Sequence, residues 1–143
     1  MDSRKCIAVL TEKPSLDYQS GILKGIYRSA FSRDLNVAVM CVTNTRSDEI
    51  YQRSEMEIFS LLGDYSKFAG VLYLPDTIDY KSRDEILTSR LQKISRELRL
   101  PVVSIDKSTA DFPCYISDDT DAVRFLVDHM ADGHGCCGIA FVT

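Results

Sequence analysis

Five short apolar runs alternate with four longer stretches in which apolar residues recur at helical spacing, and this alternation constrains the fold more than any other feature of the chain. A short apolar run without polar alternation suits a strand covered on both faces, and strands joined by helices lie parallel. Residues 5–10, 37–42, 69–74, 102–105 and 139–142 are the expected strands. The first helix is expected over residues 17–33, with Ile22, Leu23, Ile26, Tyr27, Ala30 and Phe31 forming its stripe. Ser47 with Asp48 and Glu49 reads as the start of a second helix, whose inner side carries Ile58, Leu61, Leu62 and Tyr65. Ser82-Arg83-Asp84-Glu85 reads as a capping box ahead of Leu87, Leu91, Ile94 and Leu98. After a short extended piece at Tyr115-Ile116, Asp118-Asp119 opens a last helix, with Ala122, Val123, Leu126 and Met130 turned inward. The expected fold class is therefore α/β: a parallel five-stranded sheet with helices on both faces.

Hydrophobic residues make up 45% of the 143 positions, enough for one core, and neither a repeat nor a linker divides the chain. A formal charge of −4 argues against a phosphate-binding surface, so no nucleic-acid contact is expected from this segment. Nor does any stretch approach the roughly 18 apolar residues of a membrane span, and residues 1–5 lead into no signal-peptide core. The five cysteines form an odd set without CxxC spacing, which points to a reducing cytoplasm, with Cys6 and Cys41 read as buried small hydrophobes.

Several segments resemble the sensing domain of the lactose/galactose repressor family. Gly21-Ile22-Leu23-Lys24-Gly25-Ile26 looks like the family's first helix with its characteristic "GI". Phe68-Ala69-Gly70-Val71-Leu72 matches the segment written "VDGII", and Leu100-Pro101-Val102-Val103-Ser104-Ile105-Asp106 matches "IPVVxID". Ile116-Ser117-Asp118-Asp119 followed by Arg124 resembles "VxxDNxxGxR", and residues 135–141 match "GHxxIAF". Asp121 stands where the family commonly has Gly, Asp119 where it has Asn, and Cys136 where it has His, which suggests a divergent member.

The resemblance implies the fold of the periplasmic sugar-binding proteins and a non-catalytic role in sensing a small molecule, such as a sugar. Residues 1–143 would then be the first of two lobes, cut at the crossover to the second, which would supply the opposing ligand grips. It also implies side-by-side homodimers. The family's DNA-binding segment would precede the first strand; without it, the alternative is a sensor lobe feeding a C-terminal signalling enzyme, such as a diguanylate cyclase or histidine kinase.

In open parallel sheets, ligands bind outside the carboxyl ends of the strands. The residues just past those ends are Glu12, Lys13 and Tyr18 after the first strand, Asn44 after the second, Asp76 after the third and Asp106 after the fourth. By the resemblance Asp106 would bond a ligand hydroxyl; as a carboxylate it accepts two or more hydrogen bonds, and otherwise it is a turn-forming strand-end Asp. Tyr18 offers an aromatic face to a sugar ring, or simply packs at the helix start. Glu12 and Lys13 also read as an exposed ion pair. Asp76 and Asn44 double as turn formers. His129, His134, Cys136 and Cys137 are metal-ligand types, but their spacing fits no familiar zinc finger, and Gly133 and Gly135 suit a helix stop. No GxSxG elbow, Walker loop or GxGxxG is present, so neither catalysis nor a cofactor is expected. A phosphoacceptor receiver domain is the other reading of five strands in this length, but it needs an Asp ending strand three, where Leu74-Pro75 stand.

Overall fold

A computed structural model of the chain describes residues 4–42, 67–78 and 81–140, together with helical positions Glu57, Ile58, Ser60 and Leu62. The elements are β1 (Cys6–Thr11), α1 (Asp17–Phe31), β2 (Asn36–Cys41), β3 (Phe68–Tyr73), a 3₁₀ turn (Pro75–Thr77), α2 (Lys81–Leu98), β4 (Val102–Ile105), β5 (Cys114–Tyr115), α3 (Thr120–Asp128) and a π-helical turn (His129–Gly133). The five strands form one sheet in the order β2-β1-β3-β4-β5, and every pairing is parallel.

Strand geometry sorts the core into two layers. Successive side chains of β1 point to opposite faces. Ala8 and Leu10 join a cluster with Val71, Tyr73 and Val102 that packs on Ile58, Leu62, Leu87 and Leu91. Val9 joins Leu23 and Leu74 on the other side, with Ile22 and Ile26 of α1 packed against them. The helices thus cover both faces, and the centre of β1 is fully buried. Gly70 marks a close approach, since a Cβ there would lie 3.1 Å from the Pro101 carbonyl oxygen.

The structure corrects the sequence reading at several points. The fifth strand is Cys114–Tyr115, the piece read as merely extended. Ile139 and Ala140, expected in that strand, form none, and residues 141–142 lie outside the described residues. The last helix does begin after Asp118-Asp119, but it buries nothing: Val123, Leu126, Val127 and Met130 are all exposed. Among the described residues no strand follows the helix. Ser82 is not a cap, because α2 is already helical at Lys81. Cys41 ends edge strand β2 and is exposed, and Cys6 is only partly buried. In α1, Leu23 and Ala30 are buried, whereas Phe31 is 84% exposed, since the helix ends there. Ser47, Leu61 and Tyr65 lie outside the described residues.

Candidate functional site

Because all strands run the same way, their carboxyl ends gather at one edge, and the strand order reverses between β1 and β3. A buried hydroxyl ties these two ends together. Thr77 donates to the Leu74 carbonyl at 2.7 Å and accepts the Glu12 backbone N–H at 3.1 Å. The Thr11 hydroxyl lies 3.2 Å from the same oxygen. Glu12 is consequently drawn into the protein and is only 2% exposed, while its Oε1 stays 3.9 Å from Lys13 Nζ. The expectation of an exposed Glu12–Lys13 pair is corrected on the acid's side.

Two polar pairs project from the edge. The Tyr18 hydroxyl, on the first turn of α1, donates to Asp106 Oδ2 just past β4. Lys107 Nζ lies 3.8 Å from Asp76 Oδ1, which joins the loops after β4 and β3. The hydrogen bond to Asp106, followed by desolvation and the fields of Asp106, Asp76 and Asp119, pushes the Tyr18 pKa up to about 12. Tyr18 therefore stays a donor, with Asp106 as acceptor.

Backbone geometry fixes the loops. Asp106 holds φ +65°, and its N–H donates to the Tyr115 carbonyl at 2.8 Å. Lys13 holds φ +47°. Non-glycine residues in the left-handed region are uncommon. Asp34, Arg99 and Ala110 hold positive φ as well, so the conformation is not confined to this edge; at Lys13 and Asp106 it turns the chain just past β1 and β4.

The structure therefore brings Tyr18, Asp76 and Asp106 together, sets Glu12 beneath the edge and places Lys13 on its rim. Asn44 lies outside the described residues. Beside the Tyr18–Asp106 pair runs a cavity of about 860 Å³ between α1 and the β4–β5 ends, with Ile22, Ile26 and Ile105 on its apolar side and Ser117 and Asp119 on its polar side. Sequence reasoning missed Ser117 and Asp119. The signal that could have found them was β5 itself: once Cys114–Tyr115 is a strand, the next residues are a strand end. Asp118 is committed to structure, for its carboxylate accepts the Thr120 N–H at 3.1 Å, and hydrogen bonding from the Thr120 hydroxyl first, and from this N–H second, lowers its pKa.

No protein-family model matches the chain, and no curated protein matches it. Solved structures do. A LacI-family regulator, CCPA from Weissella paramesenteroides with bound glucose, superposes with a TM-score of 0.62 at 16% identity, covering 90% of this chain and 42% of that one. A LacI transcriptional regulator from a Rhodococcus species gives 0.59 at 15% identity, covering 90% and 41%. The trehalose repressor of Escherichia coli gives 0.56 at 14% identity, covering 92% and 44%. The chain thus spans less than half the length of these regulators. Neither the receiver reading nor a signalling-enzyme sensor finds support among them. The fold is that of part of a LacI-type regulator, the periplasmic-binding-protein-like architecture that the sequence motifs resembled.

Proposed function

We propose that the chain is a non-catalytic, small-molecule-sensing lobe of a transcription regulator, and that its strand-end edge is one wall of the ligand cleft. The observation that carries this reading is the convergence of Tyr18–Asp106 and Asp76–Lys107 on the carboxyl edge of a parallel sheet. Such an edge is where open α/β sheets hold ligands. A donor fixed on a carboxylate, beside a second acid and an ammonium, suits a neutral polyhydroxylated molecule; each hydroxyl can donate to an acid and accept from the lysine. Asp106 and Asp76 are the proposed acceptors, Tyr18 the stacking face and Lys13 a rim contact, with Asn44 kept as a ligand contact on its sequence position alone. Glu12 acts from below, through the loop it anchors.

The second wall would be a further lobe, making residues 1–143 the first of two. The exposed Val123, Leu126 and Val127 of α3 support this, as does the coverage of only 42% of the most similar regulator named above. Ligand held between the lobes would favour a closed state and shift a DNA-binding or other output. Homodimerisation through this lobe, a cytoplasmic location and the absence of DNA contact by this segment belong to the same proposal. Among the described residues no helix is long and apolar enough to cross a membrane.

Half a cleft supplies half the contacts, so calorimetry on this chain with glucose is expected to give no better than about millimolar affinity, some 4 kcal/mol. Micromolar affinity would refute the two-wall reading. An Asp106→Asn chain that binds as well as the parent would remove Asp106 from the site.

A further inference from the structure

The chain has two histidines, and the structure sets them side by side with their rings perpendicular. His129 Nε2 and His134 Nε2 are 3.1 Å apart, their rings at 89° with centroids 4.7 Å apart. Both side chains are exposed, on the turn that follows α3. The π-helical turn over His129–Gly133 widens the backbone enough to bring a residue five positions on back over the first. Gly133 leaves room, since a Cβ there would sit 3.3 Å from His129 Nδ1. Phe125 lies nearly parallel to the His129 ring, planes 9° apart with centroids at 6.4 Å.

The separations discriminate between two uses of this pair. A ring centroid lies about 1.2 Å behind its nitrogen, so a linear N–H···N hydrogen bond would hold the centroids about 5.4 Å apart. Two imidazoles aimed at one shared ion, about 2.05 Å from each nitrogen, would hold them about 4.9 Å apart. The observed 4.7 Å lies nearer the convergent arrangement than a linear hydrogen bond, although the two nitrogens are also within hydrogen-bonding distance. The angle at such an ion would be about 98°, within the range that tetrahedral and tetragonal divalent ions accept.

We propose that His129 and His134 form a two-histidine site for one divalent transition-metal ion of borderline softness, such as zinc. Imidazole nitrogen selects this class over magnesium or calcium, which prefer oxygen. The position at a helix C-terminus adds to the attraction, because the carbonyl end of the dipole is negative. Among the described residues no group of three or more His, Cys, Asp or Glu is arranged around an ion, so the protein supplies two ligands and the remaining positions stay open to water or a facing molecule. The neighbouring Cys137 thiol donates instead to the Gly135 carbonyl. The site is separate from the strand-end edge and does not depend on the sensing role proposed for it.

The test is a zinc titration of the whole 143-residue chain by calorimetry in a non-coordinating buffer. One equivalent is expected to bind, with affinity weakened at least about tenfold in His129→Gln and in His134→Gln, while Cys136→Ser/Cys137→Ser stays within about threefold. Far-UV circular dichroism confirms the fold of each variant. Cobalt(II) at the same site is expected to show no thiolate charge-transfer band. Binding that survives both histidine substitutions, a thiolate band, or no uptake at about 1 mM zinc would each overturn the proposal.

Discussion

Replacing Thr77 by Val isolates the hydroxyl that ties the ends of β1 and β3. The two side chains have nearly the same shape, so the substitution removes hydrogen bonding and little volume. It takes away the acceptor of the Glu12 N–H at 3.1 Å and the donor to the Leu74 carbonyl at 2.7 Å, at a site 6% exposed. Each such bond contributes about 1 kcal/mol net, and a buried group that loses its partner costs about 1–3 kcal/mol. The expected loss is therefore about 2–3 kcal/mol, or about 30- to 150-fold in the folding constant. In a domain of this size that lowers Tm by about 5–10 °C. Thr77→Ser keeps the hydroxyl, gives up one methyl, and should cost no more than about 1 kcal/mol. Urea unfolding of the three chains, compared at unchanged m-value, measures the difference. Thr77→Val within about 0.5 kcal/mol of the parent, or a serine variant as weak as the valine one, would refute the role given to the hydroxyl.

Three further outcomes follow from the packing and the charges. Gly70→Ala should destabilise by about 1–3 kcal/mol, because the new methyl must displace Pro101, whose carbonyl accepts the Val71 N–H at 2.9 Å; a neutral result in thermal melts would contradict that close approach. Absorbance titration of the parent minus Tyr18→Phe should show a phenol titrating at about 12; since the folded value is raised, the contribution of the Tyr18–Asp106 bond is whole below the ordinary phenol pKa of about 10 and is lost as pH rises through 12. Leu91→Ala, fully buried beneath the sheet, should cost about 2–5 kcal/mol, whereas Leu126→Ser on α3 should cost under about 0.5 kcal/mol; equal losses would mean that α3 is packed.

The parts legible in the sequence are those where local pattern and tertiary burial agree. β1, β2, β3 and β4 are apolar because both of their faces are covered, and Leu23 and Ala30 of α1 with Leu87 and Leu91 of α2 mark the sides these helices bury, whereas Tyr27 and Phe31 of the α1 stripe stay exposed. The errors fall at the end of the chain, where pattern and burial part. Val123, Leu126 and Met130 carry an inward-facing spacing, yet all three are exposed and nothing among the described residues buries them. Ile139 and Ala140 have the composition of a buried strand but pair with none of the described residues as one. Conversely, β5 is only Cys114–Tyr115, too short for periodicity to register, and it is held by the register Ser104↔Cys114 and Ile105↔Tyr115. The site was legible as a set of strand ends, because parallel topology alone gathers them. Its pairings were not: that Tyr18 meets Asp106 and Asp76 meets Lys107 depends on loop conformations, with φ positive at Asp106, that no local pattern encodes. Glu12 was misjudged because its burial comes from Thr77, 65 positions away.

The central claim, that the carboxyl edge of the sheet is a ligand-binding wall, is tested most directly by mapping amide shifts of the nitrogen-15-labelled chain against a panel of neutral mono- and disaccharides at about 50 mM, where millimolar binders are well populated. At least one sugar should move the amides of Glu12, Lys13, residues 15–18, Asp76, Thr77, Asp106 and Lys107 together, in fast exchange, and Asp106→Asn should diminish those shifts. A panel that leaves that edge unmoved, or a sugar that shifts only the opposite edge, would contradict the assignment.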